Sequence, residues 1–249
     1  MHRFFISLEQ IEKGTITIVG SQARQLRDVL RLKPGAQIVV LDNTGWEYLV
    51  DIVDITPDKV CGKVIEHGHC PNEPGTKITL YQALLKGNKF DFVLQKCTEL
   101  GVSSFVPVLC ERCVATEVNQ SRFQRWHKII VEAAEQSGRG NIPTLHPLVD
   151  FGQACELTEG LSLLPWEAEA DAGIKAVLQD RAWGKSSLKL NVFVGPEGGF
   201  APHEVELARS KMIVPVSLGK RILRAETAGL VTASAILYEY DEMDCKNNR

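Results

Sequence analysis

Two short glycine-bearing stretches near the C-terminal end restrict this chain more than any other feature. They are Val192-Phe-Val-Gly-Pro-Glu-Gly-Gly-Phe200 and Ser217-Leu-Gly-Lys-Arg-Ile-Leu-Arg-Ala-Glu-Thr-Ala228. Each follows an apolar run of strand character, residues 191–194 and 213–218, and each opens a segment patterned as a helix, 202–211 and 227–240. Glycine lets backbone amides and carbonyls come close to a ligand, and ligands of open α/β sheets bind at strand ends. If the two strands are neighbours, both turns belong to one pocket.

The residues upstream supply the sheet. From Lys77 onward strand-like runs at 78–84, 104–109 and 161–164 alternate with helical stretches at 89–100, 122–137 and 171–179. Gly101 and Gly138 stop the first two of these helices. Such alternation predicts a parallel sheet covered on both faces. Residues before Gly68 read differently, as strands at 15–19, 37–41, 47–55 and 59–66 separated by turn signals. A single helix is expected at 21–33, with Ser21 as N-cap, Leu26, Val29 and Leu30 on its apolar face, and Pro34-Gly35 as its stop. Short strands with one helix suggest a small barrel. Residues 67–75 read as a linker, which gives two domains, 1–72 and 73–249.

Composition narrows the setting. Apolar runs end well short of a bilayer span, and no secretory signal is evident at the N-terminus. Seven cysteines without a framework spacing suggest reduced thiols and a cytoplasmic protein. Cys61, His67, His69 and Cys70 fit no common zinc spacing, so no metal is expected. Cys110-Glu-Arg-Cys113 is a lone C-x-x-C pair, read as structure before redox chemistry. A net charge of −3 means that any nucleic acid must be held by local basic patches.

Several positions carry candidate chemistry. Gly195-Pro-Glu-Gly-Gly199 matches neither the dinucleotide fingerprint nor a Walker loop, and its proline removes a donor from any phosphate cradle. It reads as a rigid ligand turn, with Glu197 facing a cationic or hydroxyl-bearing group. In the second turn Ile222 and Leu223 could wall a flat purine ring. Arg224 and Glu226 form either a simple pair or a reactive one, and Thr227 reads as an N-cap. Arg24, Arg27, Arg31 and Lys33 crowd the N-terminal helix against Asp28, either as solvated surface or as a phosphate-contacting patch. Arg3 precedes Phe4 and Phe5, two expected core residues. Lys86 and Lys89 follow the first strand of the second domain, and Arg139 lies in the loop after a helix.

Taken together, Ala83-Leu-Leu-Lys-Gly-Asn-Lys-Phe-Asp91, Gln95-Lys-Cys-Thr-Glu-Leu-Gly101, Glu132-Ala-Ala-Glu-Gln-Ser-Gly-Arg139 and the two glycine stretches carry a resemblance that covers nearly the whole chain. The sequence resembles the bacterial 16S rRNA uridine N3-methyltransferases of the SPOUT superfamily. The resemblance implies a PUA-like N-terminal barrel and a C-terminal α/β domain with a deep trefoil knot, assembled as a homodimer without any membrane association. It implies S-adenosylmethionine as cofactor, held by Leu164, Gly195, Glu197, Gly198, Gly199, Leu218, Gly219, Arg221, Ile222, Leu223 and Thr227. It implies 16S rRNA of the small ribosomal subunit as partner, held by Arg3, Arg24, Arg27, Arg31, Lys86, Lys89 and Arg139. On this reading Arg224 steadies negative charge on a uracil carbonyl and Glu226 or Glu197 takes the N3 proton. The chain departs from the pattern at Gln25, where relatives usually carry histidine. A tRNA-methylating enzyme of the same superfamily and a non-catalytic RNA-binding factor are the alternatives.

Overall fold

The computed structural model describes residues 1–180 and 189–244, which fall into two compact units. One comprises Met1–Glu73 together with Ala134–Ile142, and the other Pro74–Ala133 together with Pro143–Arg249. Nothing in the composition of 134–142 signals that it belongs with the N-terminal unit.

In the first unit β1 (Arg3–Phe5), β2 (Ile11–Glu12), β3 (Thr15–Val19), β4 (Gln37–Leu41), β5 (Trp46–Ile55) and β6 (Lys59–His69) form one sheet in the order β1-β4-β5-β6-β3-β2. Only β1 and β4 run parallel; the remaining pairs are antiparallel. Alternate residues of five strands, among them Phe4, Ile16, Ile18, Ile38, Val40, Val50, Ile52 and Val60, share one apolar cluster, so the sheet curls round its own core. No ladder joins β1 to β2 among the described residues, and the barrel is left open there.

Two expectations change in this unit. The helix is much shorter than 21–33: α1 (Gly20–Arg24) passes into a single π-helical turn over Gln25–Val29, and Arg31 adopts a left-handed φ of 53°. Val19, not Ser21, is the N-cap, and Val29 is 72 % exposed while Leu26 is fully buried. Widening the turn by one residue rotates Val29 off the apolar face. The stretch 67–75 is no bare linker either, since β6 runs on to His69 and Cys70 is buried.

The second unit is the alternating α/β domain. Its strands are β7 (Lys77–Ala83), β8 (Ser104–Leu109), β9 (Thr144–Leu145), β10 (Val149–Asp150), β11 (Leu161–Pro165), β12 (Lys189–Val194) and β13 (Val214–Val216). All pairs are parallel, in the order β10-β8-β7-β12-β11-β13 with β9 beside β8. The helices are α2 (Lys89–Leu100), α3 (Gln120–Ser137), α4 (Phe151–Glu156), α5 (Ile174–Gln179), α6 (Pro202–Ser210) and α7 (Ala225–Glu239).

The period of two on β7 sorts the layers. Tyr81 and Ala83 face a cluster shared with Phe151 and Ala154 of α4 and Val205 and Ala208 of α6. Leu80 and Gln82 face the opposite side, where they lie against Gly229 of α7. Trp126 of α3 stacks on Phe90 of α2 at 4.2 Å and donates its indole N–H to Asp91 Oδ1 at 2.9 Å. That hydrogen bond satisfies the polar tip of a fully buried ring.

Candidate active site

The two glycine turns follow strands that are not immediate neighbours. β11 lies between β12 and β13, in register with both, so a third turn joins them at the same end of the sheet. Chain order places these three segments far apart; the parallel pairing brings their carboxyl ends together. Pro165–Glu167, Val194–Phe200 and Ser217–Glu226 with Ala228 contribute walls to one cleft of about 540 Å³, with Lys89 reaching in from α2. That volume suits a ligand of cofactor size.

Each wall is built by specific backbone demands. Gly199 sits at φ 69°, a conformation that favours glycine, and a side chain there would start 2.7 Å from Glu167 Oε1, so the first glycine turn meets the turn after β11. A Cβ on Gly195 would meet the buried Phe200 ring at 3.2 Å. The turn after β11 is laced to β13, since Trp166 N–H donates to Val216 O at 3.0 Å and Ser217 N–H to Ala172 O at 2.7 Å.

The polar centre is Lys89 between two carboxylates. Its ammonium donates to Glu197 Oε1 at 3.1 Å and lies 3.6 Å from Glu226 Oε2. Lys86 N–H also donates to Glu197 Oε1, at 3.2 Å. Burial pushes the Glu197 carboxyl up, but its own amide, the Lys89 ammonium and the Lys86 amide outweigh that and hold it below the usual carboxylate range. The hydrogen bond to Glu197 in turn raises Lys89. Glu226 differs, because its Oε2 is buried and accepts no hydrogen bond. Arg224 Nη1 lies 3.9 Å from the other oxygen and is otherwise turned to solvent, 81 % exposed.

Most of the expected cofactor residues line this cleft: Gly195, Glu197, Gly198, Gly199, Leu218, Gly219, Arg221, Ile222 and Leu223. Leu164 and Thr227 do not. Leu164 is fully buried in the apolar cluster under the sheet, and its successors Pro165 and Trp166 form the wall instead. Thr227 lies inside α7, whose N-cap is Arg224, so it neither caps the helix nor reaches the cleft. Ile222 is 84 % exposed, which leaves Leu223 as the better apolar wall.

The expected RNA contacts divide more sharply. Arg139 is 3 % exposed and bonded through Nε and Nη2 to Glu73, at 3.1 and 2.9 Å, so it braces the N-terminal unit and cannot meet a phosphate. Arg3 is tied to Glu47. Arg27 binds Asp28 bidentately and also donates to Pro57 O. Arg24, Arg31, Lys33 and Lys86 are exposed. Lys89 belongs to the cleft. Arg112 was not anticipated at all; its Nη1 donates to Gly198 O at 2.9 Å, and its only sequence signal was a place inside the C-x-x-C pair.

Comparison with known proteins gives this arrangement a class. Residues 71–237 match the RNA methyltransferase domain family, and residues 20–65 match the RNA methyltransferase PUA domain. The sequence is 36 % identical over 240 residues to the ribosomal RNA small subunit methyltransferase E of a Synechocystis species, covering 94 % of this chain and 77 % of that one. It is 33 % identical to the Bacillus subtilis protein of the same name, covering 96 % and 97 %. The chain belongs to the ribosomal RNA small subunit methyltransferase E family. A crystal structure of that enzyme from Neisseria gonorrhoeae bound to S-adenosyl methionine superimposes with a TM-score of 0.86 at 31 % identity, covering 96 % of this chain and 97 % of that one.

Proposed function

We propose that this chain uses S-adenosylmethionine to methylate N3 of one uridine in the 16S rRNA of the small ribosomal subunit, acting as a cytoplasmic homodimer. The observation that carries the reading is the cleft of three glycine- and proline-bearing turns, at the strand ends of a fold shared along its length with a relative crystallised with that cofactor.

The residues present suit the group. A cleft of about 540 Å³ has room for a flat ring and ribose, and Leu218 and Leu223 offer apolar surface. The carboxylates Glu197 and Glu226 outnumber the one ammonium, Lys89, that faces both, so the cleft tolerates a cationic ligand. When bound, S-adenosylmethionine supplies an electrophilic methyl group on a sulfonium.

The chain's own task is to remove a proton. Uracil N3 carries hydrogen at neutral pH and becomes nucleophilic once that proton leaves. We assign proton acceptance to Glu226 Oε2, which lacks a hydrogen bond, and not to Glu197, whose oxygen already accepts from Lys86 and Lys89. Arg224, exposed and ahead of α7, would donate to a uracil carbonyl oxygen as charge builds on it. N3 lies on the pairing edge, so the base must be unpaired or flipped when it enters. Arg24, Arg31, Lys33 and Lys86 would hold the RNA backbone.

The trefoil knot is part of this proposal. β11 lies between β12 and β13, while α7 leaves the β13 edge and packs back on α2, β7 and β12, a return path that a threaded chain requires. Among the described residues no helix is long and apolar enough to cross a membrane.

The test is transfer of labelled methyl from S-adenosylmethionine to purified small subunits that lack the modification, followed by nucleoside analysis. Label in 3-methyluridine is expected. Label in another base or in ribose would overturn the substrate assignment, and RNA binding without transfer would mark a non-catalytic factor.

A further inference from the structure

The C-x-x-C pair lies directly behind the cleft, and nothing in the proposed chemistry uses it. Cys110 through Cys113 form a tight turn at the end of β8, closed by Cys113 N–H donating to Cys110 O at 3.1 Å. A second bond runs the other way, from Cys110 N–H to Cys113 Sγ at 3.3 Å. A β-turn keeps its first and last Cα atoms within about 7 Å, the range a disulfide can span. Cys110 is buried and Cys113 half-buried.

The two residues between the sulfurs grip the cofactor wall. Arg112 Nη1 donates to Gly198 O, and Arg112 Cβ stands 3.2 Å from where a Gly198 side chain would begin. Glu111 N–H donates at 2.9 Å to Glu204 Oε1, a buried carboxylate whose other oxygen accepts from Ala201 N–H at 2.8 Å. The turn thus props both ends of the Gly198–Ala201 segment.

We propose that Cys110 and Cys113 are an oxidation site for hydroperoxides, and that the disulfide formed there loosens the cofactor cleft by shifting Arg112 and Glu111 away from Gly198 and Glu204. The coupling rests on the S-adenosylmethionine reading of the cleft; the thiol chemistry does not.

The electrons balance in two steps. The Cys113 thiolate attacks one peroxide oxygen, the O–O bond breaks, and with one proton taken up the products are a sulfenic acid and water. Cys110 sulfur then attacks the Cys113 sulfur, the S–O bond breaks, and the departing hydroxide takes the Cys110 proton as a second water. The pair is asymmetric in the sense this needs. A hydrogen bond from the Cys110 thiol, joined by one from its amide, draws Cys113 down to about 7, and holding that thiol proton, with burial, pushes Cys110 up. Burial raises Cys70, Cys97 and Cys155 as well, so among these groups Cys113 alone is shifted toward the thiolate. Once Cys113 is a sulfenic acid, that restraint on Cys110 is gone. Closing the sulfurs to about 2.05 Å must tighten the turn and move the two residues inside it.

The full chain, fully reduced and then treated with a small excess of hydrogen peroxide, provides the test. Peptide mass mapping should show a Cys110–Cys113 link, and calorimetry should show S-adenosylmethionine binding about tenfold weaker, recovered with dithiothreitol. In Cys110→Ser and Cys113→Ser the peroxide-induced weakening should vanish, each compared with its own reduced form. Absence of the link, or a link formed with unchanged affinity, overturns the proposal. Reduced protein that binds no S-adenosylmethionine sinks the cofactor reading and the coupling with it, whereas tight binding indifferent to the link sinks the coupling alone.

Discussion

Lys89 holds Glu197 by a 3.1 Å hydrogen bond, although its place after a strand and at the start of a helix suggested an RNA contact. Its ammonium also faces Glu226 Oε2 at 3.6 Å, so it neutralises two carboxylates that border one cleft. Lys89→Met leaves those acids to repel each other. We expect methyl transfer to fall about tenfold or more with little change in thermal midpoint, because the pair is partly exposed and contributes little to folding. A wild-type rate would show that the ammonium is surface decoration.

The depressed Glu197 carboxyl gives a pH dependence with a definite sign. A carboxyl held below its ordinary value stabilises the turn at every pH above that value, about 4.3, and the benefit disappears as pH falls through the lowered one. Cofactor affinity followed by calorimetry should therefore stay level from neutral pH down to about 4.3 and drop only below it, as Glu197 protonates. A loss already complete at pH 6 would point to another group.

Glu226 Oε2 is buried without a hydrogen bond, so amidation removes a proton acceptor without removing volume. Glu226→Gln should cut the rate by roughly a hundredfold to ten-thousandfold while cofactor binding survives. Rate and cofactor affinity lost in equal proportion would instead make it a binding residue.

Gly195 packs against the Phe200 ring, not toward open space. Gly195→Val must displace that buried ring, a strain of about 1–3 kcal/mol. Both the thermal midpoint and cofactor affinity should decline. Unchanged affinity with a lowered midpoint would separate packing from the cleft.

On the N-terminal unit, Arg31 is exposed whereas Arg27 is committed to Asp28 and Pro57. Charge reversal at Arg31 should weaken RNA binding and flatten its salt dependence by about 0.7 for the lost phosphate contact, leaving cofactor affinity intact. Equal RNA affinity at physiological salt would remove the patch from the RNA site.

Much of the secondary structure was legible in the chain. Thr15–Val19, Gln37–Leu41, Lys89–Leu100 and Ser104–Leu109 lie where β-branched runs, helical stripes and Gly101 place them. Those signals are local, set by backbone preference and by which face of an element is apolar. The π-helical turn at Gln25–Val29, with Leu26 buried in it, was not legible, because one extra residue in a single turn leaves no mark in the periodicity. α4 and the two-residue strands before it were also missed, being too short to show a period.

The sequence by itself determined that two glycine turns would end two strands, and most of their residues line one cleft. Only the tertiary structure decided that β11 would lie between those strands, that Pro165 and Trp166 would replace Leu164 as the third wall, and that Arg139 would be spent on Glu73. The physical reason is distance along the chain. A turn is written in consecutive residues, while strand order depends on segments tens of residues apart and the pairing of Lys89 with Glu197 and Glu226 on segments more than a hundred apart, which only the assembled sheet brings together.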